Sequence, residues 1–275
     1  MLRIAQSALS RQVLRLEHDY GMQLLERHAR GVTLTQAGDI FLRYARESAL
    51  QGEQVRAELD ALRGLRRGVV RVVTIETLVQ EFLPPLICEY AERHPGIRLD
   101  INVDSSDKVI EAVQDLKADL GIAFHSQVGQ EVATLFKLRA PLVGLVSAGH
   151  PLAEQSAISL ADAFAYPLAL PMSNTGSRLL FDQAAEQAEL HKAPALESNS
   201  TQLLLRFVRQ TRGVTFLPRL AAGGMLRSKT VIAVRLRDPL LNTSTIDVLA
   251  AASRSLSPAA DEFLRLMKRA DGSVL

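Results

Sequence analysis

The chain has 275 residues, 47% of them hydrophobic, with a formal net charge of +2 and a single cysteine, Cys88. This length and apolar content predict about two domains with real cores. They exclude an internal disulfide framework, and the net charge is too small to imply non-specific nucleic-acid binding by the whole chain. A lone cysteine fits a reducing compartment, no apolar run approaches 18 residues, and the polar start reads as helix rather than signal peptide. A cytoplasmic protein that does not cross a membrane is expected.

In chain order, the first element is an amphipathic helix over IAQSALSRQVLRLE, residues 4–17. Leu9, Val13 and Leu16 line one face, and Ser7, Ser10, Arg11 and Arg15 another. Arginine pairs with phosphate or the guanine edge and short hydroxyls permit close approach, so this face suits a DNA groove. A merely solvated face is the alternative. Gly21 should end the helix. Arg27, Arg30 and Gly31 fall at a hairpin tip before the alternating Val32-Thr33-Leu34, a basic wing. Within residues 1–35 five arginines outnumber three acids. Thr35 is an expected N-cap for a long helix from Gln36 to about Arg67. Phe41, Ala45, Ser48, Gly52, Val55, Leu59 and Leu62 form a heptad seam on it, which predicts a dimerisation helix.

Beyond Gly68 the pattern alternates strand and helix, which predicts a parallel, doubly wound sheet. Strands are expected at Val69–Ile75, Ile97–Val103 and Leu120–Phe124, and helices at Leu78–Arg93 and Asp107–Lys117. A second α/β unit follows HPLA at 150–153. A last strand and helix, Ile246–Ala252 and Pro258–Lys268, should return to the first. Cys88, beside Ile87 on a helix, is expected to be a buried, inert thiol.

The ordered motifs AQSALSRQVLRLE (5–17) and LLERHARGVTLTQAG (24–38), with the helix after them, resemble the winged helix-turn-helix of LysR-type transcriptional regulators. HPGIRLDI (94–101) and LKADLGIAF (116–124) resemble positions in the effector domains of that family. The resemblance implies an incomplete all-α winged helix-turn-helix (1–35) and a linker and dimerisation helix (36–67). A two-lobed α/β domain like periplasmic binding proteins follows at 68–275, with lobe I at 68–147 plus 246–275 and lobe II at 148–245. Family members carry about 20 further residues ahead of this segment, which implies a start assigned too far downstream or a truncated form. A sensor-only solute-binding module is therefore the alternative function. The family usually has a glycine two residues before Gly213, where this chain has Thr211.

On that resemblance, Gln6, Ser7, Ser10 and Arg11 would face the major groove, and Arg30 would reach the backbone or minor groove. The implied partners are double-stranded promoter DNA, a small-molecule effector and a second copy, as homodimer or homotetramer. In open α/β sheets ligands occupy the crevice beyond the carboxyl ends of the strands. Those ends present Glu76, Thr77, Ser105, Ser106 and His125 in one lobe, and Asn174, Thr175, Asn199 and Ser200 in the other. For the serines, threonines and asparagines, simple helix capping is the alternative. Free N–H groups at helix starts favour anions, so a carboxylate is expected. Glu76 opposes this: it either pairs with an amine on the effector or, the preferred expectation, points to solvent. No zinc spacing, phosphate loop or dinucleotide fingerprint occurs, and no acid has a partner in a triad or dyad, so neither enzyme activity nor a metal or cofactor is expected.

Overall fold

The computed structural model describes residues 6–28, 31–62 and 68–270. Arg30 and the expected end of the long helix at 63–67 lie outside the described residues. Two compact units are formed, Met1–Leu59 and Asp60–Leu275.

In the first unit, α1 (Gln6–Tyr20) ends at Gly21, whose φ of +65° is left-handed and cheap only without a Cβ. The carboxylate of Glu17 accepts from the N–H groups of Leu24 and Leu25 at 2.9 and 3.1 Å, tying α1 to β1 (Leu25–His28). β1 pairs antiparallel with β2 (Gly31–Leu34), so the wing forms as expected. Thr35 Oγ1 accepts from the Gly38 N–H at 2.9 Å and caps α2 (Gln36–Leu62). A Cβ on Gly38 would lie 2.0 Å from the carbonyl oxygen of Leu24, so only glycine lets this first turn meet the wing. On the heptad seam, Phe41 is half-buried under the edge of Tyr20, centroids 5.1 Å apart, while Val55 and Leu59 are exposed.

The second unit runs β3 (Gly68–Thr74), α3 (Leu83–Arg93), β4 (Ile97–Val103), α4 (Ser106–Gln114), β5 (Leu120–Phe124), β6 (Val132–Arg139) and β7 (Leu142–Ser147). It continues through β8 (Ala157–Ile158), α5 (Leu160–Phe164), β9 (Ala169–Pro171), α6 (Gly176–Gln187), β10 (Leu196–Ser198) and α7 (Thr201–Gln210). It closes with β11 (Thr215–Pro218), α8 (Gly223–Arg227), β12 (Val231–Leu236), β13 (Thr245–Ala251) and α9 (Pro258–Ala270). One sheet has the order β4-β3-β5-β13-β6, and a second has β11-β7-β12-β8 beside the pair β10-β9. β3 is parallel to β4 and β5, the expected βαβ arrangement, but β13 is antiparallel to β5 and β6. β7 is likewise antiparallel to β11 and β12. Both sheets are thus mixed, because strands that cross between lobes enter from the opposite end.

Three expectations are corrected. β7 pairs in the second sheet, so the first crossing falls between Arg139 and Leu142, ahead of the expected boundary at 147. The helix expected from Leu78 begins only at Leu83; residues 76–78 form a single 3-10 turn. Pro84 and Pro85 explain this, since proline fits the first turn of a helix but not its interior. Cys88 is exposed rather than buried, on the face of α3 opposite the buried Leu83, Leu86 and Tyr90. The buried face packs on α9: Tyr90 meets Phe263 edge-on at 5.1 Å, and its hydroxyl donates to the carbonyl of Ala259 at 2.8 Å. Burial, aided by Glu262, pushes the Tyr90 pKa up to about 12. Thr211, where the resemblance led to an expectation of glycine, adopts an ordinary extended φ of −131°, so the turn needs no glycine there.

Gly121 of β5 lies under α4, where an added Cβ would be 2.6 Å from Val113 Cγ2 and 2.9 Å from Val109 Cγ1. Gly121→Ala should therefore destabilise by about 1–3 kcal/mol in thermal denaturation. Gly129→Ala, with nothing within 4 Å, should not. His150 is buried; its Nδ1 accepts from the Leu152 N–H at 3.1 Å and its Nε2 meets the Arg212 carbonyl at 3.3 Å, a pairing that needs the neutral ring. Burial is the largest influence on this histidine and holds its pKa below the ordinary value of 6.5. The unfolded chain is protonated first, so stability present above pH ~6.5 should be lost as pH falls toward the lower folded pKa. Denaturation midpoints from pH 8 to 5 should fall, and His150→Gln should flatten that fall.

Candidate functional site

A cavity of about 290 Å³ opens between the two lobes of the second unit, at the carboxyl ends of β3, β4, β5 and β9. α4, α6 and α7 all begin at its wall. The first amides of a helix lack intrahelical acceptors, so three sets of N–H donors converge there.

From the first lobe, Glu76, Thr77, Ser105 and Ser106 line the cavity, as the strand-end rule predicts; from the second, Asn174, Thr175 and Asn199 do so. His125 and Ser200 do not. His125 sits in a left-handed turn, φ +44°, exposed, with its N–H donating to the Thr245 carbonyl at 2.7 Å. The turn carries it away from the crevice its position after β5 suggested. Ser200 is the N-cap of α7 and accepts from the Leu203 N–H at 3.4 Å, the capping alternative. Ser106 Oγ accepts from the Phe124 N–H at 3.1 Å, which ties the start of α4 to the end of β5. Thr175 Oγ1 donates to the Met172 carbonyl at 2.9 Å, so α6 starts without a side-chain cap.

Glu76 does not point to solvent. Its Oε2 accepts from the N–H of Thr201 at 2.8 Å, joining the end of β3 in one lobe to the first residue of α7 in the other. Sequence reasoning could not find this bond, because 125 residues separate the partners. It also missed Asp104, whose Oδ1 accepts from the Ser105 N–H at 2.8 Å, and the buried Ser177 and Thr201. Both buried hydroxyls sit one or two residues past an expected N-cap, which is a readable signal once the helix start is placed. Gly176 lies against Phe124: a Cβ there would be 3.0 Å from both its ring and its carbonyl oxygen, so the two lobes approach closely.

On α1 the backbone of Gln6 and Ser7 is helical, Ser10 is half-buried and Arg11 is exposed. Leu9 of the opposite face is 57% exposed. Among the described residues no group of three or more His, Cys, Asp or Glu is placed to hold a metal ion, and no helix is long and apolar enough to cross a membrane.

Two family models match. The LysR substrate binding domain covers residues 63–272, and the bacterial regulatory helix-turn-helix protein of the lysR family covers residues 1–39. The chain is 28% identical over 267 residues to the HTH-type transcriptional regulator YbhD of Escherichia coli (strain K12), covering 97% of this chain and 84% of that one. Among solved structures, a full-length OxyR variant from Pseudomonas aeruginosa is similar with a TM-score of 0.72 and 21% identity, over 98% of this chain and 86% of that one. The effector binding domain of QuiR in complex with shikimate is similar with a TM-score of 0.61 and 19% identity, over 75% of this chain and 98% of that one.

Replacing Glu76 by alanine leaves the Thr201 amide without its acceptor. A hydrogen bond to a charged group contributes about 1.5–3 kcal/mol, less when half-exposed. Glu76→Ala should lower the denaturation midpoint and speed hydrogen exchange at the Thr201 amide, while Glu76→Gln, whose amide oxygen can still accept, should keep that amide protected.

Proposed function

The chain belongs to the LysR family of transcriptional regulators, a DNA-binding helix-turn-helix joined to an effector-binding domain, and on that premise we propose how its residues divide the work. The observation that carries this reading is that both family models match in one chain and in the family's order. That favours a DNA-binding regulator over a sensor-only module. Its relatives are transcriptional regulators, and no catalytic role is proposed.

α1 enters the major groove, with Gln6, Ser7, Ser10 and Arg11 toward the bases and Arg30 on the wing toward the backbone or minor groove. α2 pairs two copies; the exposure of Val55 and Leu59 on its heptad seam supports this. The effector sits in the cleft between the lobes, in contact with Glu76, Thr77, Ser105, Ser106, Asn174, Thr175 and Asn199. The shikimate complex of the QuiR effector domain supports a small polar ligand for a fold of this kind. A regulator of transcription works where the chromosome is, which supports a cytoplasmic location. Effector binding biases two arrangements of the oligomer by binding them with different affinity, and so alters the bend at the promoter.

The test is a gel shift of the full chain on its own upstream region at fixed salt. Arg11→Ala should weaken binding by about 1–3 kcal/mol. Equal binding by the variant would remove α1 from the interface. Sedimentation of the same protein should give a dimer or tetramer, and Leu59→Glu should shift it toward monomer.

A further inference from the structure

Glu76 brings to the cleft a carboxylate with one oxygen unengaged among the described residues, and we infer that it selects an effector carrying an amine. The inference rests on the cleft being the effector site. Three helix N-termini meet there, and each partial positive end by itself favours an anion. The chain has already supplied anions to two of them. The Glu76 carboxylate holds the first amide of α7 at 2.8 Å, while α4 has Asp104 on the Ser105 amide and Asp107 in its first turn.

Among the described residues lining the cavity, Glu76 and Asp104 are charged and none is Lys, Arg or His. No basic side chain described on the bordering helices lines the cavity; Arg206 and Arg209 sit in the second half of α7, away from its start. Arg178 of α6 binds Asp182, Glu197 and the carbonyl of Pro171, and Lys108 of α4 binds Glu111. An anionic effector would meet the carboxylates of Glu76 and Asp104 with no basic side chain among the described residues of the cavity wall, and the first amide of α7 is already held by Glu76. An ammonium group meets the opposite situation. Oε2 of Glu76 is committed to Thr201, and among the described residues no hydrogen bond reaches Oε1. The N-terminus of α6 has neither an acid in its first turn nor a side-chain cap, which leaves its amides for a hydroxyl or carbonyl at the other end of the ligand. The cleft therefore reads as an amine at Glu76 and a neutral acceptor at α6.

A matched series separates the charge from the frame: 6-aminohexan-1-ol, 1,6-hexanediol and 6-hydroxyhexanoate share length and one hydroxyl and differ only at the other end. Their affinities for the full chain are measured by calorimetry without DNA, so a failure here is separate from any failure of the promoter response. The expected order is amine, then diol, then carboxylate, with at least a tenfold gap between the ends. Glu76→Gln keeps the Thr201 bond and removes the charge at that position while Asp104 stays, and it should shrink that gap at least tenfold; its fold is checked by circular dichroism. A carboxylate bound as tightly as the amine, a preference unchanged in Glu76→Gln, or no binding of any of the three to the folded chain at 10 mM would each overturn the inference.

Discussion

The effector domain is organised by where its helices begin. Parallel strands that end on one side of a sheet must hand the chain to helices that start there, and the first amides of each helix then need acceptors. Here α4, α6 and α7 start around one cavity drawn from two lobes. The cleft is polar because backbone donors are unspent there, and the side chains that accept from them include the carboxylates of Glu76 and Asp104.

Against that background the bond from Glu76 to Thr201 has two consequences. It closes a helix N-terminus with a full negative charge, and it does so across the lobes, so the state of the cleft and the spacing of the lobes are linked through one carboxylate. Gly176 against Phe124 marks a second place where the lobes touch with no room for a side chain. A ligand that engages Glu76 acts on a contact that already spans the cleft. This is the kind of differential contact that a two-state switch requires.

The helix-turn-helix unit was legible because its signals are local. Gly21 ends α1 with a left-handed φ, Thr35 caps α2, and the β1-β2 wing falls around the glycine that the alternating pattern pointed to. The effector lobes were legible at the level of elements and less so at their ends. Pro84 and Pro85 delay α3 for a reason visible in the sequence, though the apolar periodicity upstream masked it. The exposure of Cys88 was decided by which side of α3 faces α9, and no local pattern states that.

Periodicity, turn glycines and capping residues lie within a few positions of one another, so the sequence by itself determined the helix and wing of the first unit, the first alternation of strands and helices in the second, the family, and that the strand ends would carry polar residues. What joins to what across the cleft is a long-range matter. Only the tertiary structure decided that Glu76 meets Thr201, that β7 belongs to the second sheet, and that His125 and Ser200 leave the cavity. The physical reason is the same in each case: a side chain's role depends on which distant backbone group reaches it, and that is set by how two mixed sheets are crossed by one chain.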